Sequence, residues 1–282
     1  MDSIKNILVP VDCTEESRPV LSVSKQIAEK LDSHLHIVSV IDEVILEKLV
    51  KVGSGLSSEL IDKSKKYLDG VIKEVGIDGL KYSCEVVEGV PFMEIISRST
   101  ALPADLIMLG GMESDEPHRL GNDSFKIMRM APFNTFAVKI RDKESFEEID
   151  IKKILVALDF TKESLMALDY ALYLKPVLDS TIRVLQVVPE NEKIDEDSVK
   201  KKLGEHLSQE KIEQIDSFDV KRSKNPAKTI LNYVDESDID LLTIGSHSKK
   251  RILRNLFLGK VSYDVVRKVN SSFVVLKDPE GE

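Results

Sequence analysis

The chain predicts an α/β protein made of two tandem copies of one doubly wound domain, each with a parallel five-stranded sheet flanked by helices. Three observations predict it. The sequence repeats itself: IKNILVPVDCTEES at residues 4–17 returns as IKKILVALDFTKES at 151–164, an offset of 147 that holds as far as Glu43 and Glu190. The strongest segments are short apolar, β-rich runs, the pattern of parallel strands buried on both faces. Between them lie stretches with apolar residues three and four apart, the spacing of one helix face. One long offset with no short period marks duplicated whole domains, not a solenoid.

The elements follow in the same order in both copies. First strands are expected at Ile7–Val11 and Ile154–Leu158. Helices follow, with Val20, Val23, Ile27 and Leu31 on one inner face and Ala167, Tyr170, Leu174 and Leu178 on the other. Second strands are expected at Leu35–Val40 and Ile182–Val187. The middle sections differ: a long amphipathic helix near 56–75 in the first copy, a single shorter one near 195–213 in the second. Third strands fall at about 81–87 and 218–223. The copies then realign at an offset of 135 on Val90-Pro91 and Asn225-Pro226, where a proline opens a helix without losing a hydrogen bond. ADLIMLG (104–110) and IDLLTIG (239–245) are fourth strands, and a helix and a last strand (136–139; 274–277) close each copy. The domains are therefore placed at 1–140 and 151–278, with a charged connector, RDKESFEEID, at 141–150. Strand–helix alternation of this kind implies right-handed crossovers and a parallel sheet.

Bulk composition excludes several classes. A net charge of −9 lacks the basic field that a general nucleic-acid or membrane-surface binder needs. No apolar run approaches the ~20 residues that span a bilayer, and the first residues, MDSIKN, lack a secretory signal pattern. Cys13 and Cys84 are the only cysteines, a usage that fits a reducing compartment, so the expected location is the cytoplasm.

Ligands of open parallel sheets settle at the carboxyl ends of strands, where strand order reverses. Each copy brings three features there: an aspartate ending the first strand (Asp12, Asp159), a glycine ending the fourth (Gly110, Gly245), and a glycine opening the last helix (Gly121, Gly259). Glycine lets backbone amides approach an anion, and a helix start adds partial positive charge. An aspartate opposite could hold ribose hydroxyls, or could serve as a helix cap shared with Thr14 or Thr161.

ILVPVD near the start, and DLLTIGSHSKKRILRNLFLGKVSYDVVRKVNSSFVVLK near the end, resemble the universal stress protein family, and both halves do so over nearly their whole length. The resemblance implies a Rossmann-like, adenine-nucleotide alpha-hydrolase-like fold in a tandem member. Family members pair through their last strands, which implies an internal pseudo-dimer here and leaves a further homodimer open. Many members bind ATP through glycine, two residues, glycine, nine residues, then glycine followed by serine or threonine. The second copy departs from this: Ser248 stands at the middle glycine, ten residues precede Gly259, and Lys260 replaces the hydroxyl residue. In the first copy Glu113 stands three after Gly110, and Asn122 follows Gly121.

Charge separates the two loops further. The first carries Glu113, Asp115, Glu116 and Asp123 against Arg119, whereas the second carries Lys249, Lys250, Arg251, Arg254 and Lys260 with no acid between Gly245 and Gly259. An acid ~5 Å from a phosphate charge costs roughly 3 kcal/mol at an effective dielectric of ~20, on the order of a hundredfold in affinity. The expectation is that the second copy binds ATP or another adenine nucleotide, with or without magnesium, and that the first is a degenerate partner with no cofactor. The resemblance assigns Asp159 to the ribose and the backbone at Val187 to adenine. It sets Gly245, His247, Ser248, Gly259, Lys260, Val261 and Ser262 around the phosphates. Lys260 either reaches the phosphates or fills their place.

Other chemistry is not legible. LGKVS (258–262) lacks the leading glycine and the hydroxyl of a Walker loop. Only His34 and His36 stand at a metal-like spacing, and a pair two apart at a strand start reads as surface; no metal site is expected. No nucleophile elbow or paired carboxylates are present, so the expected protein is a regulatory binder and not an enzyme, with any ATP hydrolysis incidental. Met108, Met112, Met128 and Met130 read as core filling. The alternative is an interaction module that binds no nucleotide and acts through a protein partner.

Overall fold

The computed structural model describes residues 3–14, 17–52, 55–110, 112–113, 119–139, 150–246 and 258–278. The chain divides into two compact units, one built on Asp2–Met112 and Leu120–Ile149, the other on Asp150–Glu282.

Domain 1 runs β1 (Asn6–Val11), α1 (Ser17–Leu31), β2 (His34–Asp42), α2 (Glu43–Val52), α3 (Leu56–Val75), β3 (Tyr82–Gly89), α4 (Pro91–Ala101), β4 (Leu106–Leu109), β5 (Met112–Glu113), β6 (Arg119–Leu120), α5 (Asn122–Met130) and β7 (Asn134–Ala137). Domain 2 runs β8 (Lys153–Ala157), α6 (Lys162–Leu178), β9 (Thr181–Val188), α7 (Glu196–Leu203), α8 (Gln209–Glu213), β10 (Ser217–Arg222), α9 (Pro226–Glu236), β11 (Leu241–Gly245), α10 (Lys260–Val266) and β12 (Ser272–Leu276).

The strand order is β7-β4-β1-β2-β3 in domain 1 and β12-β11-β8-β9-β10 in domain 2, and the pairings within each are parallel. The sequence predicted this alternation. Its cause is burial: Ile7, Leu8 and Val9 in β1, and Ile154, Leu155 and Val156 in β8, are essentially inaccessible, so consecutive residues face protein on both sides of the sheet. Strand order reverses between β1 and β4, and between β8 and β11, and a crevice opens there at the carboxyl ends. The opposite ends are pinned identically. The carboxylate of Asp105 accepts from the amides of Lys5 and Asn6 at 2.7 and 2.8 Å, and that of Asp240 from Lys152 and Lys153 at 3.1 and 3.0 Å.

The copies part in the middle. The expected single helix near 195–213 is broken into α7 and α8. Gly204, a poor helix former, ends α7, and Ser208 begins α8. In domain 1 the chain forms α2, a helix the sequence reading did not foresee. The repeat offset falls from 147 to 135 across this region, so domain 1 is 12 residues longer there, and α2 accounts for 10 of them.

Of the methionine cluster, Met108 and Met128 are fully buried, as core filling requires, while Met130 is 40% exposed. His34 and His36 stack with ring centroids 4.2 Å apart. His36 also meets Ser83 Oγ through Nδ1 at 3.0 Å and Asn6 Oδ1 through Nε2 at 3.1 Å. The pair is therefore packed among strand starts. Among the described residues no cluster could hold a metal, and no helix is long and apolar enough to cross a membrane.

Candidate functional site

Each crevice begins with a strained turn. Cys13 and Phe160, equivalent in the repeat, directly follow the strand-end aspartates and both adopt the left-handed conformation, with φ of 59° and 62°. That conformation is costly for bulky side chains and persists only where the surroundings fix it. Here hydrogen bonds of the preceding aspartate fix it. Asp12 Oδ1 accepts from Thr14 N (3.1 Å), Thr14 Oγ1 (2.7 Å) and Ser17 Oγ (3.1 Å). Asp159 Oδ1 accepts from Thr161 N (3.0 Å) and Thr161 Oγ1 (2.6 Å), and Thr161 caps α6 by accepting from Ser164 N at 3.3 Å. In domain 2 the cap of α6 is Thr161, and Asp159 instead holds the turn before it through one carboxylate oxygen, as Asp12 does in domain 1. Both residues are exposed, and no hydrogen bond to either Oδ2 occurs among the described residues.

Val187 lies beside this turn. Leu185 gives its carbonyl to the amide of Leu158 at 2.9 Å, while Val188 gives its carbonyl to Ser223 on the other side, also at 2.9 Å. Alternate residues of a parallel strand address alternate neighbours. The amide and carbonyl of Val187 therefore face the β8 side, beyond Ala157 where β8 ends.

The fourth-strand glycine has a packing role. A Cβ on Gly245 would lie 2.6 Å from the carbonyl carbon of Glu163, so the first turn of α6 sits directly on the strand end. The Gly245 carbonyl accepts from Ser262 Oγ at 2.7 Å, and Ser262 is buried. Ser262 therefore ties α10 to β11 through its hydroxyl. The equivalent Ser124 to Gly110 carbonyl contact in domain 1 is longer, 3.4 Å. Burial pushes the Cys13 thiol up from its ordinary range, with the Ser39 hydroxyl 3.3 Å away.

The two last helices start differently. Both α5 and α10 follow a glycine that offers no side-chain cap. In α5 the first turn holds Asp123, whose carboxylate meets Lys126 Nζ at 3.0 Å. In α10 the first turn has no acid and opens with Lys260, which is exposed, followed by Val261, 37% exposed. Gly259 has φ −60° and ψ 157°, ordinary extended backbone. His247 and Ser248, with the basic residues 249–251 and 254, lie outside the described residues. Glu113, expected in a glycine loop, falls in β5, which pairs with β6.

Two residues that the sequence reading missed flank the domain 2 crevice. Phe160 is half-buried beside Asp159, and the Lys202 ammonium sits 4.1 Å from its ring centroid. His206 is 6.2 Å from the same ring. The equivalence of Phe160 with Cys13 was readable from the repeat; the approach of Lys202 from α7 was not.

Fold and crevice together define a tandem α/β domain pair of the doubly wound class. The universal stress protein family model matches residues 3–139 and again 150–277, and the chain belongs to that family. Universal stress protein MJ0531 of Methanocaldococcus jannaschii is 30% identical over 144 residues, covering 50% of this chain and 85% of that protein. Among solved structures, a universal stress protein from Archaeoglobus fulgidus superposes with a TM-score of 0.72 at 20% identity, covering 98% of this chain and 99% of its own. Protein PA1789 from Pseudomonas aeruginosa, described as functionally unknown, gives 0.70 at 17% identity, with 99% and 94% covered. At these identities the likeness is one of fold.

Proposed function

We propose that domain 2 binds an adenine nucleotide in the crevice between β8 and β11, and that domain 1 does not. The observation that carries this reading is the contrast at the last helix. Among the described residues the start of α10 has no side-chain cap and no acid, and it carries an exposed Lys260, a setting that favours phosphate. The start of α5 already holds Asp123. The exposed Oδ2 of Asp159 suits a ribose hydroxyl. The amide and carbonyl of Val187, side by side past the end of β8, suit the acceptor and donor on the edge of adenine. Lys202 adds positive charge on the same side. Gly245 and Ser262 support the crevice from behind. The protein acts by binding and not by turnover, and magnesium, if present, accompanies the phosphates.

The test is thermal unfolding of the full chain with and without millimolar ATP and magnesium. Ligand at a hundred times its dissociation constant stabilises by about 2.7 kcal/mol. The shift should vanish in Gly259→Glu, a substitution its extended backbone accepts. A second reading, a module acting through a protein partner, gains support from the structural employment of Gly245 and Ser262. No ATP shift, with an intact unfolding transition, would favour it.

A further inference from the structure

Domain 1 holds an open surface cleft of about 420 Å³, within the size range of small-molecule sites. It lies between the inserted helix α2, the start of α3 and the end of β3. Its floor is apolar, from Leu46, which is buried, and Val50, which is 64% exposed. Three exposed glutamates line it: Glu43 and Glu47, four apart and so on one face of α2, and Glu88 from β3. Lys51 is the single cation of the lining, so the cleft carries an excess of two negative charges. Among the described residues none of the three glutamates has an ion-pair partner. Ser57, also in the lining, has a buried hydroxyl oxygen with no hydrogen-bond partner among the described residues.

Domain 2 makes the contrast. Glu190, the repeat counterpart of Glu43, is paired with Lys224 at 3.2 Å. Arg222, at the end of β10, donates to the carbonyls of Glu192 and Ile194 at 2.9 Å each, fastening the segment that follows β9. There the acid is neutralised and the segment is held from within the chain. In domain 1 the inserted helix supplies acids and an apolar floor and leaves both open.

We propose that this cleft of domain 1 binds a small organic ammonium ion with an apolar body. The body would rest on Leu46 and Val50. The ammonium would meet Glu43, Glu47 and Glu88, and the unsatisfied Ser57 hydroxyl would provide a polar contact. An anion of the same shape is excluded by the excess acid, since like charge near an apolar wall is penalised more than in open water. The site is independent of the nucleotide reading for domain 2.

The experiment titrates the full chain with phenethylammonium and with its carboxylate counterpart, 3-phenylpropionate, by protein-observed NMR. The expected result is saturable binding of the ammonium probe, at least tenfold tighter than the carboxylate, with shifts at Leu46, Val50 and Ser57. Glu47→Lys with Glu88→Lys, both exposed positions, should weaken the ammonium probe at least tenfold while the melting temperature stays within a few degrees. Val50→Lys, which sets a cation on the floor, should do the same. The proposal is overturned by failure of the ammonium probe to bind at 10 mM, by equal binding of both probes, or by folded charge-reversed variants that bind it unchanged.

Discussion

The last helices of the two domains begin in the same place with opposite chemistry. Helix α5 opens with Asp123 paired to Lys126, and α10 opens with Lys260 and no acid. Around them the frame is conserved within the chain: the left-handed residue after the first strand, the aspartate that holds the turn, and the serine tied to the fourth strand's end recur in both. The comparison teaches that duplication preserved what the fold needs and freed what a ligand needs. An acid at a helix start offsets the positive end of the helix locally, whereas a lysine there adds to it. The second difference runs the other way: domain 1 gained α2 and an acidic, apolar-floored cleft, where domain 2 neutralises its acid with Lys224.

The comparison can be broken hardest at the buried cation of domain 2. Lys277, just after β12, is 3% exposed, and burial lowers its amine to about 8; its counterpart Lys139 is only half-buried. The folded state disfavours the charged form, so the unfolded chain binds more protons between about 8 and the ordinary value of 10.5. Stability from this residue therefore rises with pH across that window and is lowest below 8. Lys277→Met should abolish the alkaline gain relative to wild type, because no titrating amine is then left at this position. Urea midpoints at pH 7, 8, 9 and 10 check it.

The glycines give the next effect. Gly245→Ala places a methyl 2.6 Å from Glu163 and should cost about 2 kcal/mol. Gly121→Ala in domain 1 meets nothing within 4 Å and should stay within ~0.5 kcal/mol. Denaturant midpoints of the two variants distinguish them. Equal losses would mean that Gly245 is not held against the first turn of α6 more closely than the open helix-start position Gly121 is held by its surroundings.

The smallest effect sharpens the comparison at the opposite end of the sheet. Burial, reinforced by the neighbouring His34, lowers the His36 imidazole below its ordinary 6.5; domain 2 has Thr181 and Arg183 at the equivalent positions. With the folded value depressed, the neutral ring stabilises above pH 6.5, and that contribution is lost as the pH falls below it. Domain 1 should therefore lose stability between pH 6.5 and 5, and His36→Gln should flatten that slope. Tyrosine and tryptic-cleavage probes of unfolding at stepped pH report it.

Much of this was legible in the sequence because both levels agreed. Buried parallel strands such as ILVPV and ILVAL show in composition, and the repeat confirmed each one. Helix α2 was not legible: beyond Glu43 its sequence, VILEKLVKV, has no counterpart in domain 2, so the repeat could not point to it. The break between α7 and α8 was signalled by Gly204 and Ser208 but masked by the apolar spacing around them. At the site, the aspartates, the Val187 edge and the helix-start contrast were readable. The packing roles of Gly245 and Ser262 were not, because a glycine that yields to a helix and one that yields to a phosphate look alike in sequence. The approach of Lys202 to Phe160 depends on tertiary contact between segments 42 residues apart, beyond any local pattern.

The most direct test of the central claim, one anion site in two copies of one frame, is calorimetric titration of the full chain with ATP and magnesium. The account predicts one nucleotide per chain, at least a tenfold loss of affinity in Lys260→Glu, and no change in Asn122→Glu at the matching position of domain 1. Two nucleotides per chain, no binding, or unchanged affinity in Lys260→Glu would contradict it.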